Sequence, residues 1–339
     1  MKKLLFFLSF IFLAILTDAQ DKLPSFGKID KTDLELKDCD FDPGAEAMVL
    51  INAGDTYVRY LENVGWVSES SYRVRIKVFK EKGIPHAQIK LKFRSKNFLE
   101  QITNLKGISF NLDANGKIEE TELEKKSIYE KVIDKEISEV SFAMPNVRVG
   151  TVFEYRYKRS RKTYSHIPTW NFQSRIPVKY SAYNLVVPEY FEFTTLTTIR
   201  QRENYQTTHS TEYGSWYILR NIPALKNEPF SSGIEQYLQR VEFKLSAINA
   251  PGYYEVIRTT WPKIIDELLA SEYFGGELKK NIRGTKELDD RLILIQSGKE
   301  KIRTIYNYVQ QQMQWNEEYS IASFDGIKKA WDKKKRFYC

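Results

Sequence analysis

Cysteine, histidine and methionine are scarce, with 2, 3 and 4 copies in 339 residues, and that scarcity removes whole classes of chemistry. Cys39 and Cys339 sit near opposite ends of the chain, so they form no CxxC redox pair, zinc ribbon or disulfide framework. A bond between them would need α-carbons within about 7 Å, which sequence cannot establish. Cys39 reads as a small core residue or idle thiol. His86, His166 and His209 are dispersed and lack the helical spacing of a metal centre. Each reads as a strand-edge or loop residue. No GxSxG elbow and no phosphate-cradling glycine loop occurs, so neither metal nor cofactor is expected. After Leu16 no apolar run reaches the ~20 residues a membrane-crossing helix needs. Internal repeats and low-complexity tracts are absent as well.

What is present begins with a leader. Lys2-Lys3 is followed by an almost wholly apolar stretch, Leu4 to Leu16, and then by the small-residue site Thr17-Asp18-Ala19. This order predicts a signal peptide over residues 1–19, cleaved after Ala19, and hence a periplasmic or extracellular protein. The apolar run is too short for a spanning anchor, and no Cys follows the cleavage point to accept a lipid.

Hydrophobic residues make up 42% and charged residues 28%, the balance of a globular chain. Its 21 Tyr and 20 Phe favour strands. The formal charge is +8, yet Lys and Arg are interleaved with Glu and Asp. The one dense run, Lys333-Lys334-Lys335-Arg336, has no nucleic-acid module around it, so no nucleic-acid partner is expected.

From Ala45 to about Ala250 the pattern has period two. Val74, Ile76 and Val78 alternate with Arg73, Arg75 and Lys77, which predicts one buried face and one wet, basic face. Ile89, Leu91 and Phe93 alternate with Lys90, Lys92 and Arg94, and residues 151–159 do the same. Asn115-Gly116 predicts a two-residue hairpin turn, because both residues tolerate positive φ. Further strands are expected at 136–143, 177–187, 191–200, 214–220 and 237–248. Evenly spaced strands without amphipathic helices between them predict a mainly β fold, an antiparallel β-sandwich over residues 20–250.

Near Asn249-Ala250-Pro251-Gly252 the period changes. Thr260-Trp261-Pro262-Lys263 predicts a helix start, with Ile264, Ile265, Leu268 and Leu269 as its stripe. A second helix, carrying Ile302, Ile305, Val309 and Met313 on one face, is expected after Gly298 with that face buried. A third is expected from Phe324 to about Trp331.

Several local patterns hint at chemistry. Asp38-Cys39-Asp40-Phe41-Asp42-Pro43-Gly44 has carboxylates spaced as in a calcium loop. Pro43 stands where glycine is required, however, and Val49 where a bidentate Glu is required. A solvated turn is the expectation. Glu317-Glu318, or Glu154 among aromatics, could act in acid–base catalysis, although no pair is shown to share a cleft. Trp66, Trp170 and Trp216 could stack on sugars, or serve as core and cross-strand pairs.

An ordered set of motifs goes further. It comprises Phe26-Gly27-Lys28-Ile29, Asp42-Pro43-Gly44-Ala45-Glu46-Ala47, the run Arg73 to Phe79, and the run Phe142 to Tyr155. Trp170-Asn171-Phe172-Gln173, Ile176-Pro177-Val178 and the run Ile222 to Phe230 complete it. Together these resemble exported bacterial proteins in which an uncharacterised β-rich domain precedes a transglutaminase-like domain. The resemblance implies a papain-like Cys-His-Asp fold after residue 250, acting on peptide amides through a thiolate. Residues 251–339 resemble only its opening helices. No His or Asp follows Cys339, so a truncated, non-catalytic domain is expected, its helical apolar stripes partly exposed, with no catalytic residue assigned and Cys339 the sole candidate nucleophile.

Three functions stay open: an accessory module on an inactive transglutaminase-like segment; a binding module for cell-envelope glycan or peptide; and a cysteine hydrolase or acyl transferase pairing Cys339 with a remote His such as His166.

Overall fold

The structure, a computed structural model, describes residues 23–210, 214–226, 235–257, 260–319 and 326–338. The leader and Cys339 lie outside the described residues.

A short helix α1 (Lys31–Glu35) is capped by Asp30, whose carboxylate accepts from Thr32 N. Strands then follow: β1 (Ala47–Leu61), β2 (Gly65–Val78), β3 (Gln88–Arg94), β4 (Glu100–Leu112), β5 (Ile118–Glu122), β6 (Ile128–Val132) and β7 (Ile137–Ala143). After them come β8 (Val152–Arg161), β9 (Trp170–Asn171), β10 (Val178–Val186), β11 (Phe191–Thr198), β12 (Tyr205–Ser210), β13 (Gly214–Ile222), β14 (Arg240–Ala250) and β15 (Tyr253–Val256). Helices α2 (Trp261–Ala270), α3 (Lys286–Ile293), α4 (Gly298–Gln312) and α5 (Ile327–Asp332) and the paired strands β16 (Gln314–Tyr319) and β17 (Lys335–Tyr338) complete the described chain. No helix among the described residues is long and apolar enough to cross a membrane.

The chain is mainly β, with several antiparallel sheets and no closed barrel among the described residues. Eight strands form one sheet in the order β12-β13-β10-β1-β2-β8-β4-β5, in which only β1 and β10 run parallel. Two smaller sheets, β3-β7-β6 and β11-β14-β15 with β9 on β14, contribute to the same core. Ala47, Val49, Ile76, Phe153, Val178 and Leu219 of the large sheet meet Ile89, Phe142, Phe191, Val241 and Leu245 of the small ones there. That is a sandwich, as the alternation predicts.

The large sheet is covered on its other face too. A second core joins Met48, Leu50, Ile51, Ile108, Phe110 and Val152 to Leu34 and Cys39 of the N-terminal segment, with Phe26, Ile29 and Phe41 packed against it. A register shift between Val49 and Ile51 explains why Leu50 and Ile51 share this face. The extra residue inverts the parity of β1, so odd-numbered side chains point outward beyond it.

That second cover overturns the wet, basic face expected for β2. Arg75 and Lys77 are each 1% exposed. Lys77 Nζ donates to Leu34 O at 2.6 Å and Gly150 O at 2.7 Å, and Arg75 donates to Lys28 O, Asp33 and Glu154. The N-terminal segment brings carbonyls and a carboxylate to these cations, which makes their burial tolerable. In β3 the expectation holds: Lys90, Lys92 and Arg94 are exposed while Ile89 and Phe93 are buried.

The β4–β5 hairpin forms with Leu112 opposite Ile118, but only Gly116 takes positive φ, at 73°. Asp113 builds the turn instead. Its carboxylate accepts from Asn115 N and Lys117 N, and its carbonyl from Gly116 N. Helix α2 is capped by Thr260 with Pro262 in its first turn. No residue of α2 or α4 is buried, and Ile302 is 71% exposed. The stripe of α4 is therefore partly exposed, as expected for the C-terminal helices and against the burial that its spacing alone predicts. The C-terminal part does meet the sandwich at a polar point, where Tyr273 Oη donates to Glu136 Oε1 at 2.6 Å and Lys96 pairs with Glu136.

Candidate ligand-binding site

Beyond the stretch covered by the N-terminal segment, the outer face of the large sheet holds a hollow of about 550 Å³, within the range of small-ligand sites. Its side chains come from five strands brought into register. Asp55 of β1 lies opposite Ser71 of β2, which lies opposite Lys158 of β8. One step along, Ala53 faces Arg73, Arg73 faces Arg156, and Arg156 faces Lys106 of β4. On the other side Asp55 aligns with Asn184 of β10 and Asn184 with Trp216 of β13. Residues opposite each other share a face, so the parity change in β1 places Asp55 outward. Trp216 and Leu23 close the rim.

The lining is electrostatically uneven. Arg73, Lys106, Arg156 and Lys158 face a single carboxylate, Asp55. Burial pushes the Asp55 carboxyl above its ordinary value, against a hydrogen bond from Asn184 that works the other way. Tyr57 is also pushed up, first by burial and then by the Asp55 charge. Arg73 donates from Nε to Glu154 Oε1, while its buried Nη2 has no partner among the described residues. The Arg156 guanidinium stacks 4.4 Å from the centre of the Phe26 ring, which fixes its place at the edge of the hollow.

The residues singled out in sequence fall elsewhere, with one exception. Glu154 is buried between Arg73 and Arg75 as an ion-pair partner. The side chains of Glu317 and Glu318 lie outside the described residues, as does Cys339. Cys39 is buried, and burial raises its thiol pKa. His86 lies 3.5 Å from Glu46, and exposed His209 Nδ1 meets Ser215 Oγ at 2.9 Å. His166 is held below its ordinary value by burial and by Arg161.

The calcium-like loop is a backbone turn. Asp38 accepts from Cys39 N and Gly44 N, Asp40 from Phe41 N, and Asp42 from Ala224 N. No group of three metal-ligating residues occurs among the described residues. Trp170 is core: its ring stacks on Tyr183 and Tyr72, and its Nε1 donates to Ser181 Oγ. Trp66 packs edge-on against Phe191. Of the three tryptophans Trp216 alone lines the hollow. Asp55, Asn184, Arg156 and Lys158 carried no sequence signal, because only the strand register brings them together.

No curated protein matches the sequence. Among solved structures, the crystal structure of a “putative protease” from Parabacteroides distasonis ATCC 8503 superposes with a TM-score of 0.55 at 14% identity. The alignment covers 86% of this chain and 56% of that one, so this chain spans little more than half its length. A “putative nutrient binding protein” from Legionella pneumophila subsp. pneumophila str. Philadelphia 1 aligns over 86% of this chain and 95% of its own, at 8% identity. Its TM-score of 0.27 is too low to carry an argument. Residues 68–224, which hold nearly all of β2 through β13 and most of the side chains around the hollow, match the family model of a domain of unknown function with a solved structure, DUF3857.

Proposed function

We propose that this chain is an exported, non-catalytic binding module, whose sandwich holds a cell-envelope glycan or peptide in the outer-face hollow. Residues 251–339 form, in this reading, the opening helices of a transglutaminase-like domain to which the module is accessory. The observation that carries it is the convergence of Trp216, Asp55 and four cations on one hollow of about 550 Å³, a volume suited to a small ligand with a lining more polar than most such sites. Glu154, His86 and His209 are engaged in structural contacts, which favours binding over catalysis. The leader from Lys2 to Ala19 supports export.

An array of envelope saccharides and peptides, probed with the whole chain and with Trp216→Ala, tests this. Ligands retained by the wild type and lost by the variant support the hollow; equal retention by both would place binding elsewhere. Export is checked by N-terminal sequencing of protein recovered from outside the cytoplasm, with Gln20 expected as the first residue. A second reading, acyl transfer through Cys339, draws on the name of the Parabacteroides structure and on the resemblance. Under it Cys339 would react with iodoacetamide well below pH ~8.5, the ordinary thiol value.

A further inference from the structure

The hollow lies over β1, β2 and β8, each hydrogen-bonded to a neighbour on both edges. Their N–H and C=O groups are committed to the sheet, so an extended peptide cannot add there as another strand. Side chains are what the hollow offers, and they are arranged in sequence. Trp216, Asn184, Asp55, Ser71 and Lys158 stand in one register row across five strands, a span of about 19 Å at the usual strand spacing.

The indole stands at one end of the row and the Asp55 carboxylate at its middle; the other end carries Lys158 beside Arg156, Lys106 and Arg73. An indole presents a flat face to the C–H face of a sugar ring. Asp55 is an acceptor for hydroxyls. The cationic end is fitted to a negative group: Arg156 is braced by Phe26, and Lys158 is exposed beside it. Guanidinium groups bind carboxylate or phosphate with two parallel N–H donors.

We infer that the hollow selects an anionic saccharide, with a sugar ring on Trp216, hydroxyls on Asp55, and a carboxylate or phosphate substituent among Arg73, Arg156 and Lys158. This rests on the binding-module reading and narrows its ligand to one chemical class.

The test is calorimetric titration of the whole chain with trigalacturonate, its neutral methyl ester and a phosphorylated mannose. Trigalacturonate or the phosphorylated sugar should bind more tightly than the ester, and whichever does so names the anion. The double variant Arg156→Gln/Lys158→Gln replaces two exposed side chains, so folding is kept, and it should lose about tenfold in affinity for the anionic sugar and little for the ester. Raising salt should weaken the wild type more than the double variant. Equal binding of acid and ester would overturn the anionic inference and leave the glycan reading standing. If none of the three binds at millimolar concentration, both fall.

Discussion

Arg75 and Glu154 face each other across β2 and β8, with side chains 1% and 0% exposed and Arg75 Nη2 3.2 Å from Glu154 Oε2. The carboxylate also pairs with Arg73 and accepts from Gly27 N. One buried anion thus organises two cations and fastens the N-terminal segment to the sheet.

Removing that anion leaves buried charge without compensation. Glu154→Gln should cost about 3–5 kcal/mol, read as a fall in the urea midpoint. Adding Arg75→Met should restore part of the loss, since it removes the stranded cation. A variant that unfolds like wild type would show that Arg73 and Arg75 do not depend on Glu154.

Lys77 predicts a pH dependence. Burial, the dominant cause, lowers its pKa from 10.5 to about 8. Between those values the unfolded chain binds more protons than the folded one, so stability rises with pH through that window and is lower, and flat, beneath it. Lys77→Met should abolish this part of the rise, seen as the difference between the two stability-versus-pH curves from pH 8 to 10.5. Parallel curves would mean Lys77 titrates normally.

Gly54 is fixed by its neighbour. A Cβ there would lie 2.4 Å from Cζ3 and 2.7 Å from Cη2 of Trp170, whose ring is locked between Tyr72 and Tyr183. Gly54→Ala should therefore cost about 1–3 kcal/mol through overpacking and change the near-ultraviolet dichroism of the aromatic stack. Unchanged dichroism with unchanged stability would show that the stack can yield.

Tyr273 links the C-terminal part to the sandwich through Glu136, beside Lys96, whose pKa is raised by hydrogen bonds to Glu136 and Tyr273. Tyr273→Phe removes a hydrogen bond contributing about 1 kcal/mol. Amide exchange over residues 261–280 should quicken while that of β1 and β2 stays the same. Equal exchange in both proteins would show that the contact does not restrain this segment.

Strands were legible wherever one face is apolar and the other wet, as in β3. The helices at Thr260-Trp261-Pro262 and after Gly298 were legible, whereas α3 was not and the expected start of the last helix at Phe324 lies outside the described residues. β2 misled, because Arg75 and Lys77 look like solvent-facing residues until a segment some forty positions earlier supplies Asp33 and Leu34 O. Asn115-Gly116 marked the turn but not its type, which the Asp113 side chain sets. Helix α4 shows that a clean three–four spacing marks a helix but not its cover: Ile302 is exposed among the described residues, in line with the partly exposed stripes expected of the C-terminal part. The hollow was invisible for a further reason. Its members are tens of residues apart, and their shared face depends on a one-residue bulge in β1 that sequence alone does not reveal.

The most direct test of the binding face is the nitrogen–proton correlation spectrum of the indole groups during titration with trigalacturonate. The Trp216 indole signal should move in proportion to occupancy while that of buried Trp170 holds still. A titration that shifts other indoles and leaves Trp216 in place would contradict the assignment of the hollow as the ligand site.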